Sequence, residues 1–188
     1  MNMKRTKSMY LRQVTVMLGL IILCMVLLGA GFFSLSYRHQ LEEIQTTLDR
    51  NAGFISSYAN AAITKGDSLS GEDFINYIYS AVRLTDTTVL VCNTKGQILC
   101  AAGVNLNEDL LNSSTIADLS VPSWAVNQLL NGKPYSGVTT FGQLLSSKCY
   151  LTSEVLSPLV QDRVSGELIS SGIPTGFLFV AADATSVL

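Results

Sequence analysis

The pattern of apolar and polar positions divides the chain into three kinds of segment. The first is unbroken. Residues 14–33 (VTVMLGLIILCMVLLGAGFF) are almost wholly apolar, and no charge occurs between residues 13 and 36. Twenty residues at about 1.5 Å each match a hydrocarbon core of about 30 Å, so this run reads as a membrane span. A cleaved signal peptide is the competing reading, with an apolar core of about 7–15 residues and a small-x-small cleavage site. Here the run is longer, and Gly29-Ala30-Gly31 passes straight into Phe32-Phe33, which favours an uncleaved anchor. Lipid attachment at Cys24 would want a small residue where Leu23 stands. No second apolar run of this length follows, which makes the expected topology single-pass.

The second kind has a helical period. Across residues 37–65, Leu41, Leu48, Ile55 and Ala62 recur every seven residues, with Ile44 and Tyr58 between them. Such a stripe serves a helix docked on its own domain and a homodimer through the membrane-proximal helix equally well, and Asn51 interrupts it. Gly66-Asp67 ends this helix. Ser70-x-x-Asp73 resembles a capping box opening a second helix through Leu84, with Phe74, Ile75, Tyr77, Ile78 and Val82 packing inward.

The third kind is β-rich. Residues 87–93 (TTVLVCN) and 97–101 (QILCA) flank Thr94-Lys95-Gly96, a turn that suits a hairpin with glycine in the left-handed position. After a polar loop at 105–120, Pro122 starts a short helix that Gly132 ends. Residues 135–141, 149–156 and 176–182 are three further strands, the last two separated by a Gly- and Ser-rich loop at 161–174. The last strand, with FLFVAA at its centre, is continuously apolar and reads as buried on both faces. The resulting class is α+β, a five-stranded antiparallel sheet with flanking helices placed on one face.

Charge gives the segments a direction. Residues 1–12 hold Lys4, Arg5, Lys7 and Arg12 and no acid, while the remainder holds eight bases against all fourteen acids. The positive-inside rule then makes 1–12 a cytoplasmic stub, 13–35 the transmembrane helix and 36–188 an extracytoplasmic domain. With 48% apolar and 14% charged residues and a net charge of −2, the composition argues against disorder and against nucleic-acid binding.

Several short motifs fall in a recognisable order. The hairpin turn is Asn93-Thr94-Lys95-Gly96, and the short helix ends Leu129-Leu130-Asn131-Gly132-Lys133. A strand then runs to Phe141, followed by Ser157-Pro158-Leu159 and Ile173-Pro174-Thr175-Gly176-Phe177-Leu178-Phe179-Val180. In this order, from the anchor to Leu188, the chain resembles the extracytoplasmic PAS-like Cache sensor region of bacterial transmembrane sensor histidine kinases, especially those of Gram-positive bacteria. The resemblance implies a last strand lying mid-sheet beside the first. It also implies the signal-input part of a two-component receptor in the plasma membrane, detecting an extracytoplasmic ligand, protein or envelope signal. The family's second membrane helix, phosphoacceptor helix and ATP-binding domain have no counterpart in these 188 residues, so no enzymatic activity is expected of this chain. Residues 182–188 stand about where the exit helix would start, which suggests a fragment or a separately encoded partner. The alternative is a complete single-pass envelope protein acting as a non-enzymatic binding or interaction module.

Candidate chemistry adds little. His39, the sole histidine, sits in His39-Gln40-Leu41-Glu42 just beyond the span, and one imidazole excludes most histidine-based metal sites and triads. Its default role is a juxtamembrane helix position; a pH-sensing one is open to it. Residues 127–133 lack the first glycine of a phosphate loop, and Pro134 replaces its Ser or Thr. Neither Gly-x-Ser-x-Gly nor Ser-x-x-Lys occurs. No catalytic, metal or cofactor-binding residue is therefore assigned, and no cofactor is expected. Trp124, Tyr135, Phe141 and Tyr150 are candidate lining for a pocket between sheet and helices, though they serve equally as core. Cys92, Cys100 and Cys149 lie beyond the span. An odd number in an oxidising space invites one disulfide plus a free thiol. Cys92 is expected opposite Ile98 with Cys100 diagonal to it at roughly 7–8 Å, which counts against that bridge, and the plain reading is three small core residues.

Overall fold

The computed structural model describes residues 3–109, 118–162 and 166–184, with side chains in the first helix from residue 12 onward. It divides into two compact units, Met1–Glu42 and Glu43–Leu188.

One helix, α1 (Met3–Lys65), carries both the apolar run and the seven-residue stripe, where the sequence suggested two successive helices. It contains no proline, and Gly29 and Gly31 near its middle each cost only about 1 kcal/mol, too little to separate the two runs. Among the described residues, α1 is the one helix long and apolar enough to cross a membrane. Its end is a Schellman motif: Gly66 has φ +87°, its N–H donates to Ile63 O at 3.0 Å, and Asp67 N–H donates to Ala62 O at 3.0 Å.

Helix α2 (Glu72–Thr85) begins one turn away. The expected capping box does not form. Gly71 is the N-cap with no side-chain bond, while Ser70 turns back to Ser68 Oγ at 2.8 Å. Aspartate is one methylene shorter than the Glu or Gln that usually closes such a box. Phe74, Ile78 and Val82 are buried as the period demands; Ile75 and Tyr77 are half-buried.

The strands are β1 (Thr88–Asn93), β2 (Ile98–Ala102), β3 (Ser136–Thr139), β4 (Cys149–Leu156), β5 (Leu159–Gln161), β6 (Leu168–Ser170) and β7 (Gly176–Asp183), with helix α3 (Ser123–Leu130) between β2 and β3. Five of them form an antiparallel sheet in the order β2-β1-β7-β4-β3. The last strand thus lies mid-sheet beside the first, and residues 176–181 are buried throughout. Strand β3 is shorter than expected, because Phe141 leaves the ladder for a turn. The 161–174 segment contributes to a small separate hairpin, β5–β6, instead of loop alone.

Alternation along the strands gives the sheet two buried faces. Leu90, Cys92, Cys149, Leu151, Phe177, Phe179 and Ala181 pack with Ala125, Val126 and Leu129 of α3. Val89, Val91, Leu178 and Val180, also fully buried, point the other way. On that second face Thr152 Oγ1 donates to Asp49 Oδ1 of α1 at 2.8 Å. The expectation of helices on one face is therefore corrected: α1 covers one side and α3 the other. A sheet whose central strand is apolar at every position must be covered on both sides.

The β1–β2 turn needs its glycine twice over. Gly96 has φ +85°, and a Cβ there would stand 3.0 Å from Val126 Cγ2. Asn93 Oδ1 accepts from the N–H groups of Lys95 and Gln97 at 2.9 and 3.0 Å, closing the turn locally.

An aromatic cluster and a left-handed turn as the candidate functional site

The α3 face gathers three of the four aromatic residues singled out in the sequence. Trp124 projects from the first turn of α3, and its ring meets Tyr135 edge-on at 5.0 Å and Phe141 at 6.0 Å with planes at 90°. Phe141 in turn lies 4.8 Å from Phe179 of the central strand. Phe141 is fully buried, Tyr135 half-buried, and Trp124 is 44% exposed, so the cluster runs from the core to solvent. Edge-to-face pairs of this kind are each worth about 0.5–1.5 kcal/mol beyond their burial.

The backbone beneath this cluster is unusual. Phe141, Gly142 and Gln143 all have positive φ, at 48°, 66° and 71°. A buried aromatic residue in the left-handed region costs of order 1–3 kcal/mol and persists only where its surroundings fix it. Here Thr139 Oγ1 accepts from Phe141 N–H at 3.0 Å, Leu145 N–H donates to Thr140 O at 3.3 Å, and Gly142 lies under Pro122. Sequence reasoning missed this turn, since only Gly142 signals it.

Beside the turn a groove of about 650 Å³ opens between the β1–β2 turn and α3, lined by Thr94, Lys95, Ser123, Asn127, Leu130 and Gly142 among others. It offers an ammonium, hydroxyls and an amide over an apolar floor that includes Val121 and Val126. That mixture suits a small polar or carboxylate-bearing molecule.

Tyr150, the fourth aromatic, belongs elsewhere. It follows Cys149 by one residue and so faces α1, where its hydroxyl bonds Ser136 Oγ at 2.9 Å. A second groove, about 360 Å³, lies on that side between Ser56 and Asn60 of α1 and residues 153–157. Glu154 stands there with its carboxyl pushed up, by burial first and by the neighbouring Asp49 second. Three further bonds tie α1 to the sheet and to the segment after β4: Ser157 N–H to Asn60 Oδ1 at 2.9 Å, Leu159 N–H to Thr64 Oγ1 at 2.7 Å, and Gln45 Nε2 to Ser136 Oγ at 3.5 Å.

Cys92, Cys100 and Cys149 are buried and unbridged. Burial pushes the thiols of Cys92 and Cys100 up to about 12 and about 11. The geometric reason differs from the one expected. Cys92 pairs with Ile98 as anticipated, but a bulge between Val91 and Cys92 sets Cys100 opposite Val91, on the other face of the sheet. His39 is exposed on α1 within the first unit, and no group of three metal-ligating side chains occurs among the described residues.

No family model matches the sequence, and no curated protein matches it. Among solved structures, the sensor domain of the V. cholerae histidine kinase DctB is similar with a TM-score of 0.39 and 14% sequence identity. That similarity covers 81% of this chain and 59% of the DctB sensor domain, so the chain spans less than two thirds of that neighbour.

Proposed function

We propose that the chain is the signal-input portion of a two-component membrane receptor histidine kinase, with no catalytic module of its own. Residues 1–12 are its cytoplasmic stub, 13–35 its transmembrane helix and 36–188 its extracytoplasmic sensor domain. One observation carries the reading: an antiparallel sheet in the order β2-β1-β7-β4-β3, the PAS-like order, is packed against the very helix that also bears the apolar run. A ligand seated in the groove would press on Gly142 and, through the turn it shares with Phe141, on the ring packed against Phe179 of the central strand. The hydrogen bonds that Asp49, Asn60 and Thr64 accept then couple β4 and the segment after it to α1. Shifts of about 1–2 Å at a helix interface are a known form of switching.

Trp124 is the chain's single tryptophan, which makes the cluster its own reporter. Small carboxylates, amino acids and short peptides are screened against the full chain in detergent, reading melting temperature and tryptophan emission together. A ligand of this groove raises the melting temperature, by the equivalent of about 2.7 kcal/mol at a hundredfold excess over Kd, and shifts the emission. Stabilisation without any emission change would move the ligand away from this site. Reading the gene beyond the codon for Leu188 tests the receptor assignment itself. A second apolar span and a histidine-containing kinase core in frame support it; an unrelated gene there overturns it.

A further inference from the structure

Strand β4 is longer than its outer neighbour β3. Its residues 149–152 pair with β3, whereas the whole of Cys149–Leu156 pairs with β7. Residues 153–156 therefore carry a ladder on one side only. Pro134 accounts for the early stop, because it has no N–H to donate where β3 would continue beyond Tyr135. Tyr135 is held by a side chain instead: Ser153 Oγ accepts from Tyr135 N–H at 2.7 Å and donates to Tyr135 O at 3.1 Å. The groove of about 360 Å³ on the α1 side opens along this edge, lined by Ser153, Glu154 and Val155 of the strand, by Asn60 of α1 and by Pro134. No basic side chain lines it, and the charged neighbour of Glu154 is another acid, Asp49. Burial and Asp49 both push the Glu154 carboxyl up, and a cation placed in the groove would bring it back down.

We propose that this half-open edge accepts an added strand: an extended segment of a partner polypeptide pairs its main chain with residues 153–156 and sets a lysine or arginine beside Glu154. Main-chain bonds give this mode of recognition its affinity, and alternate side-chain positions give it specificity. Two observations choose the occupant. The half-ladder offers main-chain groups at the spacing of another strand, which a compact small molecule would leave unpaired. The acidic, base-free lining selects a positive side chain by charge complementarity. A second copy presenting the same edge would set Glu154 against Glu154, and like charges across a ladder are unfavourable. The assignment rests neither on the receptor reading nor on the groove beside α3, which lies on the other face of the sheet.

The test uses the full chain in detergent and an array of seven-residue peptides. Each has lysine or glutamate at its centre, with Val, Ile, Thr or Ser varied on either side. Lysine peptides retain the chain several-fold more than their glutamate counterparts; equal retention overturns the proposal. The best lysine peptide is then N-methylated at every second amide, in each of the two alternate sets, and its binding is read by fluorescence anisotropy. A strand turns only one set of N–H groups toward a given edge, so one set weakens binding at least tenfold and the other is tolerated. Equal effects of the two sets overturn strand addition, and so does displacement of the peptide by n-butylamine at the same concentration, which would mark a simple ammonium site. Glu154→Lys reverses the array preference toward glutamate peptides, with continued masking of Cys92, Cys100 and Cys149 toward a thiol reagent verifying the fold. An unchanged preference in that folded variant overturns the site.

Discussion

Burial decides what the three strand cysteines, Cys92, Cys100 and Cys149, can do. The thiolate is the reactive form, and with Cys92 near 12 and Cys100 near 11 almost none exists at neutral pH. Nor can they find one another. Cys92 faces α3 while Cys100 shares the face of Val91. Cys149 is separated from Cys92 by the whole of β7, where their partners Asp183 and Phe177 are six residues apart. That offset alone is about 20 Å, far beyond the roughly 7 Å a disulfide tolerates. We expect a thiol reagent to count no more than Cys24 in the folded chain and all four cysteines in denaturant without reductant. Glu154 carries the opposite lesson for a carboxyl. Its raised pKa means that the fold disfavours its charge, so its contribution to stability worsens as pH rises through the window between the ordinary and the raised value. Glu154→Gln should raise the melting temperature at pH 7, by little because solvent screens this exposed strand position, and the gain should vanish in thermal melts below the ordinary carboxylate range. Gly176→Ala should be costly, since the new Cβ would stand 2.6 Å from Cys92 O across the β1–β7 ladder.

At the scale of elements, α1 is held to the sheet by both packing and polar anchors. Leu48→Ala empties a position only 1% exposed and should cost about 2–5 kcal/mol in urea unfolding. Asn60→Ala removes the acceptor for Ser157 N–H on a residue that is 3% exposed, and should cost about 1–3 kcal/mol unless water enters the adjoining groove. These same elements show what a sequence displays and what it hides. The bounds of β4 were legible because Tyr150, Thr152 and Val155 favour a strand and Pro158 stops it, and the α1 stripe because its period is regular. The β1–β2 turn was legible because Gly96 must be glycine. The bulge opposite Cys92 was not, since an extra residue in a ladder leaves no composition signal. The left-handed turn escaped because Phe141 and Gln143 adopt it under tertiary packing, against their own preference. Of the candidate site, the aromatic residues were legible and their grouping was not. Tyr150 and Phe141 look alike in sequence, but pleat alternation turns Tyr150 of β4 toward α1, while Phe141 enters the α3 core from a turn outside the ladder.

For the whole molecule, the sheet order has a consequence in time. Strand β7 is the last to be synthesised, yet it pairs along its length with both β1 and β4. Until it arrives, the β1–β2 hairpin and the β3–β4 pair have no common neighbour, and each leaves an apolar edge open. Such long-range pairing places the domain among slower folders, in the range of roughly milliseconds to seconds. A chain ended at residue 175 should keep much of α1's helicity by circular dichroism but leave its buried thiols open to reagent. The domain therefore acquires its two-sided core in a single late event, after nearly all of it has been made. Until then its half-sheets are open to capture by other extended chains, so a factor that shields unpaired strands during synthesis would be of most use to it in that interval.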